Sequence, residues 1–588
     1  MSIARDRAAL HRRESRVGRS ARTRRRTHLA AAALLAAAAV GAAQETGRTE
    51  PPAPPPPVQR DPILDVIPAE ALFVATARNL GGVDGKVATL LRQLDVPFPF
   101  TPSDRIYAAF GLMDGIDTIG DAALVVMPPE DRAAGGDPVV GLILPTRDFP
   151  LLIEPLEPQE LEGGLFSIRF KKKPALARYV RGYAVISESR AFLQNLLKTA
   201  IRQRWSAHQL RRYDENDVSA WVDVAAIAAD PKIQARLAPV LGRGQRLAAL
   251  RILQDVQYSL RLDERALVTQ AFARTPLRGV GAGGGPSFDG LPAEGYALAM
   301  AANVNKDLVT EFMGRLTALI ESEAPKEVFP MLKIVLDVTA SASADAQSVR
   351  VSINGLPGGA DGLISATKLV NTRGPASAWI DRLAEGVQKL KAAFVETQDE
   401  EAIRLAQRLT FTRDAEKIGE TGVHHLRVDV EGAGRVDYPR LQAVIGREGL
   451  TARLAAVDEH TVIIHLGGGR ERFEQVLAGA KTSAAALAAD AGVRKVARLL
   501  SEPSFLTAFL SLEGAVPIAF SVGTAMGDPP PPFKLAEVEA PIGISVVHLG
   551  EGAFEATAAC PVELIVAIKN AFMEMIARSV GGPPPQGN

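Results

Sequence analysis

The spacing of apolar residues along the chain changes from strand-like to helix-like and back in a fixed succession. The run Leu72-Phe73-Val74-Ala75-Thr76-Ala77 reads as a strand, and Val87, Leu90, Leu91 and Leu94 then recur at amphipathic-helix spacing. β-rich segments follow at Ala123–Met127 and Val139–Leu144, and a strand at Ala184–Ser187 runs into a helix over Ala191–Ala200. A β-pair at Ala220–Val224 and Val256–Ala273 closes the series. The succession then returns. After Tyr296-Ala297-Leu298-Ala299 come helical spacing at Leu308, Phe312, Leu316 and Leu319 and strands at Val349–Ile353 and Gly362–Thr367. Thr461–His465 runs into a helix over Arg470–Ala480, and Ala508–Leu512 with Ile542–Ala556 form the closing pair.

Direct self-comparison gives the same reading. Ile67-Pro68-Ala69-Glu70 matches Leu291-Pro292-Ala293-Glu294 at an offset of 224, which still holds between Asn79 and Asn303. Gly141-Leu142-Ile143 matches Gly362-Leu363-Ile364 at 221, and Ser219-Ala220-Trp221 matches Thr507-Ala508-Phe509 at 288. Leu262 with Ala266-Leu267 matches Leu549 with Ala553-Phe554 at 287. The expected fold is α+β, in two related halves, each a mainly antiparallel sheet with helices packed on one face. The first repeat spans 63–278, a Gly-rich linker 279–290, and the second repeat 291–580, with an insertion near 375–450.

The flanks look different. Arg24-Arg25-Arg26 precede an apolar run from Leu29 to Ala43. Fifteen residues at about 1.5 Å each fall short of a hydrocarbon core of about 30 Å. Together with the small residues Gly41-Ala42-Ala43, this is the pattern of a cleavable signal peptide over 1–43. Residues 44–62 include Pro54-Pro55-Pro56-Pro57 and read as an extended proline-rich tether, and 581–588 as a disordered tail. The expected location is extracytoplasmic, periplasmic or secreted, with membrane attachment only through an uncleaved signal.

The formal charge is zero over 588 residues, but it is unevenly placed. Residues 1–43 carry ten arginines against Asp6 and Glu14; of the 67 basic and 67 acidic residues, 57 and 65 remain beyond them. A mildly acidic body has no general attraction for phosphate backbones, which argues against nucleic acid as a partner. Cys560 is the single cysteine, which excludes an internal disulfide and a cysteine zinc site; a packed apolar role is expected for it.

The Ile67-Pro68-Ala69-Glu70 opening and Leu144-Pro145-Thr146-Arg147-Asp148-Phe149 resemble a family of large exported bacterial envelope proteins carrying a duplicated domain of unknown function. The resemblance covers most of 60–580. It implies an envelope location and a duplicated α+β fold, and it carries over no activity and no catalytic residue.

Each chemical motif has a structural explanation beside it. Ser365-Ala366-Thr367-Lys368 fits the Ser-x-x-Lys of penicillin-binding proteins, but it sits in an expected strand, where residues three apart face opposite sides. Gly467-Gly468-Gly469 between strand and helix offers backbone N–H groups to a phosphate; a plain turn accounts for it equally. His424/His425 and His460/His465 are expected on strands with opposite orientations, so neither pair chelates a metal. Asp214-Glu215-Asn216-Asp217 lacks calcium-loop spacing and reads as a polar turn, and Lys171-Lys172-Lys173-Pro174 as a solvated loop. Val562–Val580 carries Glu563, Lys569, Glu574 and Arg578, and is expected to be an amphipathic helix covering the last sheet. No residue is nominated as catalytic, cofactor-binding or metal-binding, and no cofactor is called for. The expected function is a non-catalytic envelope protein binding or scaffolding an unidentified protein or envelope component through its two-lobed body. An envelope hydrolase and a carrier of an apolar ligand between the lobes are the alternatives.

Overall fold

The computed structural model describes residues 62–96, 101, 103, 104, 112, 114–130, 137–230, 253–275, 285–307, 310, 314, 317, 345–396, 400–429, 438–482, 486–527, 536–550 and 552–579. The signal peptide, nearly all of the tether, the first part of the linker, the helix on Leu308, Phe312, Leu316 and Leu319, and the C-terminal tail lie outside the described residues.

The first ten strands are β1 (Phe73–Ala77), β2 (Ala122–Met127), β3 (Val139–Pro145), β4 (Gln159–Leu161), β5 (Leu165–Phe170), β6 (Lys173–Val180), β7 (Tyr183–Ser187), β8 (Val218–Val222), β9 (Asp255–Leu262) and β10 (Ala266–Arg274). The next ten are β11 (Tyr296–Asn303), β12 (Ala346–Gly355), β13 (Ile364–Thr372), β14 (Leu409–Ile418), β15 (Thr421–Val428), β16 (Leu450–Ala456), β17 (Thr461–Leu466), β18 (Leu506–Leu510), β19 (Ile542–Gly550) and β20 (Ala553–Pro561). All described pairings are antiparallel. From one edge the order is β4-β5-β6-β7-β3-β2-β1-β8-β9-β10. It continues without a break through β20-β19-β18-β11-β12-β13-β17-β16-β15-β14. Counted from the β10–β20 seam, each strand of the first run stands where the strand ten numbers later stands in the second. At the seam Gln270 lies opposite Thr557, 287 positions downstream.

The fold is α+β, as the periodicity indicates. Segments expected as one strand each, Val256–Ala273 and Ile542–Ala556, are hairpins, β9–β10 and β19–β20, the first turning at Asp263–Arg265 and the second after Gly550. The helix expected over Ala191–Ala200 is only Arg190–Asn195, started by the Ser189 cap. The lysine loop is tighter than expected: Phe170 pairs with Lys173, so Lys171 and Lys172 alone form the turn, both with left-handed backbone (φ 51° and 63°). Two-residue turns of that hand match the sheet twist. Within 375–450 lie the helices Ala376–Glu396, Glu400–Arg408 and Tyr438–Ile445, whereas β3 and β4 are joined through only the short helix Phe149–Ile153 and a 3-10 turn.

Side-chain alternation divides the sheet into two faces. On one, Val74, Val125, Ile143, Val185 and Trp221 pack beneath the helices Arg190–Asn195 and Ala207–Glu215. On the same face of the second run, Ala299, Leu369, Ile463 and Phe509 pack beneath Gly469–Lys481 and Ala491–Ala497. The opposite face is covered at its two ends as well. Leu144, Ala184 and Ile186 lie with Phe149 and Leu152, and Val370 and Val462 lie with Trp379 and Ile380 of Ala376–Glu396.

Candidate functional site

A row of buried polar residues lies across the seam. Thr76, Ser219, Ser259, Gln270, Thr557, Ser545 and Thr507 follow one another strand by strand through the pairings of β1, β8, β9, β10, β20, β19 and β18. Residues directly opposite share a face, so this is one polar row, and each member is under a tenth exposed. Buried hydroxyls and amides need partners. Ser219 and Ser259 bond each other at 3.0 Å, the Asn216 amide donates to Gln270 at 3.0 Å, and the Ser501 hydroxyl lies 2.7 Å from Thr557.

The helix Ala207–Glu215 supplies the charge over this row. Ser206 and Gln209 close a capping box at its start, which turns Gln209, Arg212 and Tyr213 inward. Arg212, 8% exposed, donates to Glu555 of β20, 1% exposed, and so joins the two runs by an ion pair. Ser501 donates to the same carboxylate at 2.5 Å. Burial lowers the Arg212 pKa to about 10, so the guanidinium remains charged at neutral pH. Beside it, Gln209 donates to Asp255 at 3.0 Å and Asp255 accepts from Arg274 at 2.7 Å.

A second charged group sits near the far edge. Arg453 of β16 forks onto Glu448 at 2.6 and 2.9 Å and reaches Glu416 at 2.6 Å; Glu416 also bonds His425 at 3.0 Å. The hydrogen bonds from His425 and Arg453 hold the Glu416 carboxyl below its usual range, against the burial that would raise it. On β17, His465 bonds Thr367 at 3.0 Å through Nδ1, and its Nε2 has no partner. Burial, with Arg472 and Arg453 nearby, lowers its pKa to about 4, so the ring is neutral.

Two concavities lie on the described surface. A cleft of about 330 Å³ is lined by Arg78, Asp121, Tyr183, Arg202 and Tyr213, among others. Its groups are already committed: Tyr213 donates to Asp121 at 2.5 Å, Asn79 N–H donates to Asp121 at 2.9 Å, and Arg78 stacks over the Tyr213 ring. A groove of about 570 Å³ is apolar instead, lined by Leu363, Ala443, Phe520, Ser521, Thr524 and Ala525. It lies along the helix Leu512–Ala525, which starts at the Ser511 cap and bears one charged residue, Glu513. No residue of this apolar helix is fully buried.

The sequence motifs fall as follows. Ser365 and Lys368 are on β13 and face opposite sides, so no nucleophile pair forms. Gly467–Gly469 all have positive φ, and a Cβ on Gly467 would sit 2.2 Å from the Ile364 carbonyl. The Asp361 carboxylate abuts Gly469, 2.8 Å from where its Cβ would be, so this turn already faces an anion. His424 stacks on Phe411 while His425 bonds Glu416. His460 is not on a strand: it lies in the turn before β17 and bonds the Gly374 carbonyl, because Asp458 caps that turn. Asp214 and Glu215 end the helix Ala207–Glu215, and Asp217 is taken by Lys86 at 2.6 Å and by the Leu262 N–H at 2.7 Å. Cys560 lies on β20, where burial pushes its thiol pKa up. Among the described residues no group of three or more His, Cys, Asp or Glu is placed to hold a metal ion, and no helix is long and apolar enough to cross a membrane. The C-terminal helix, Val562–Ser579, buries Leu564, Ala567 and Ala571 and leaves Phe572 and Met573 about half exposed. Sequence reading missed Arg212 and Glu555, which carry no local motif, and the groove beside Leu512–Ala525, for which a continuous apolar run with a single charge was the available signal.

No family model matches the chain, and no curated protein matches it. Among solved structures, crystal form IV of TP0453 aligns at 9% identity with a TM-score of 0.24, covering 37% of this chain and 81% of that one. Crystal form III of TP0453 aligns at 10% identity with a TM-score of 0.20, covering 48% and 97%. Likeness at that level carries no argument about this chain.

Proposed function

We propose that this chain is an exported, non-catalytic envelope protein, built of two tandem α+β repeats, that holds a partner on its body. The matching strand order of the two runs and the ordered sequence offsets support the duplication. The observation that carries the binding reading is the helix Leu512–Ala525: apolar residues fill it, none is fully buried, and it borders a groove of about 570 Å³. Apolar surface left beside a groove marks an interaction site more often than an ordinary protein surface. The partner contributes an apolar segment that covers Phe520 and Ala525.

The test places a photo-crosslinking residue at Ser521 in the exported full-length chain, with and without Phe520→Glu. A discrete adduct from the envelope that Phe520→Glu abolishes, with an unchanged circular dichroism spectrum, is the expected result. Absence of any adduct at Ser521, or an adduct indifferent to Phe520→Glu, overturns the reading. Native mass spectrometry of the same protein separates a second reading that uses the same groove: retained small-molecule mass identifies a carrier of an apolar ligand.

A further inference from the structure

We infer that Arg212 and Glu555 decide which run docks against which, selecting the union of β10 with β20 over a union of β10 with β10 or of β20 with β20 between copies. The inference rests on the two-run strand order and not on what the body binds.

The seam is close to a two-fold arrangement, since Gln270 faces its own position 287 residues on. Two first runs therefore have the backbone geometry to pair β10 with β10, and two second runs to pair β20 with β20. The side chains distinguish these unions. At the same offset Glu555 corresponds to Val268, which is fully buried. Arg212, six residues before β8, corresponds to Leu500, six residues before β18. Pairing of two first runs would set the Arg212 guanidinium against Val268. Pairing of two second runs would leave the Glu555 carboxylate with the neutral Ser501 and Thr557. A buried charge without its partner strongly disfavours the arrangement that strands it.

The other charges around Arg212 do not replace Glu555. Glu215 is 3.7 Å away and 46% exposed, and Arg211 and Arg261 repel it. Only the union of first run with second run pairs both buried groups. The chain then favours its own second run because the two are covalently linked and their effective concentration is high.

Charge reversal tests this in the full chain. Arg212→Glu sets two carboxylates against each other within one chain, and Glu555→Arg sets two guanidiniums. When the variants are refolded together from urea, Glu at 212 of one chain meets Arg at 555 of the other, and the second seam keeps Arg212 with Glu555. The expected result is a two-chain species containing both variants, at least tenfold more abundant in the mixture than in either variant refolded alone. Size-exclusion chromatography with light scattering gives the mass, and intact mass spectrometry gives the composition. The double variant Arg212→Glu/Glu555→Arg refolds as wild-type monomer. A mixture yielding no more two-chain species than the separate variants overturns the inference, as does aggregation of the mixture to the same extent as each variant alone. Neither result touches the crosslinking outcome at Ser521, so the two readings fail separately.

Discussion

Acidification should destabilise the fold through one specific histidine, and the size of the effect follows from its surroundings. His465 is almost wholly buried, with Thr367 on Nδ1, Phe473 against the ring and Arg453 and Arg472 nearby. Its pKa is about 4 in the folded chain against 6.5 for an ordinary histidine. A group whose folded pKa is depressed in this way must gain a proton more readily when unfolded. Its stabilisation is therefore complete above pH 6.5 and is lost as pH falls from 6.5 towards 4. At pH 4.5 the loss is about 2.5 kcal/mol, and the slope approaches 1.4 kcal/mol per pH unit for one proton. Glu416 and Asp458, whose carboxyls are held below their usual range, also lose stabilisation on acidification. The measurement is therefore a difference. Urea unfolding of wild type and His465→Gln is followed at pH 7.5, 6.0, 5.0 and 4.5. The variant carries a fixed penalty at pH 7.5 that shrinks by about 2.5 kcal/mol by pH 4.5. Curves that run parallel across that range would refute the placement of a neutral, buried ring at 465.

Other substitutions probe the packing and the compartment. Trp221→Ala, at a fully buried site against Trp205, should cost about 3–5 kcal/mol by urea unfolding, whereas a loss under about 1 kcal/mol contradicts the core described. Gly467→Ala should destabilise, because φ is positive and the Ile364 carbonyl occupies the space. Gly479→Ala, inside a helix with open space around it, should stabilise by about 0.5–1 kcal/mol, and the same thermal melts compare the two. The double variant Phe572→Gln/Met573→Gln should shift stability by less than about 0.5 kcal/mol, since both side chains are half exposed. Cleavage after Ala43 predicts a mature N-terminus at Gln44, read directly from the intact mass of protein extracted from the envelope.

What could be read in advance divides by physical range. β1, β2, β3 and β7 are apolar runs bounded by turn residues, so periodicity locates them within a residue or two. The same signal fails where the next element is equally apolar: Leu512 continues β18 in sequence, yet Ser511 caps a helix there and the strand ends at Leu510. β4, β5 and β6 went unread because Gln159–Val180 mixes exposed charge with apolar residues and its turns are only three and two residues long. The offsets were legible and translate into register. With Trp221 and Phe509 as counterparts, Val74 answers to Ala299, one residue beyond the offset of 224.

The matching strand order of the two runs hides the least legible feature. The proposed duplication directs attention to positions that match, and Arg212 and Glu555 matter because their counterparts, Leu500 and Val268, do not. In sequence each is an ordinary surface-type residue, Arg212 beside a second arginine and Glu555 alone in an alanine-rich strand. Only the pairing of β10 with β20 brings them together across 343 positions. Two near-equivalent edges meeting at one seam leave backbone hydrogen bonding indifferent to whether like or unlike runs combine. Selectivity then has to come from side chains that break the equivalence, and an oppositely charged buried pair does so in both directions at once. A polar row of seven buried residues beneath that pair adds to the argument. Hydroxyls and amides that must find partners tolerate fewer registers than an apolar seam would, so the same strip that costs apolar burial narrows the ways the two runs can meet.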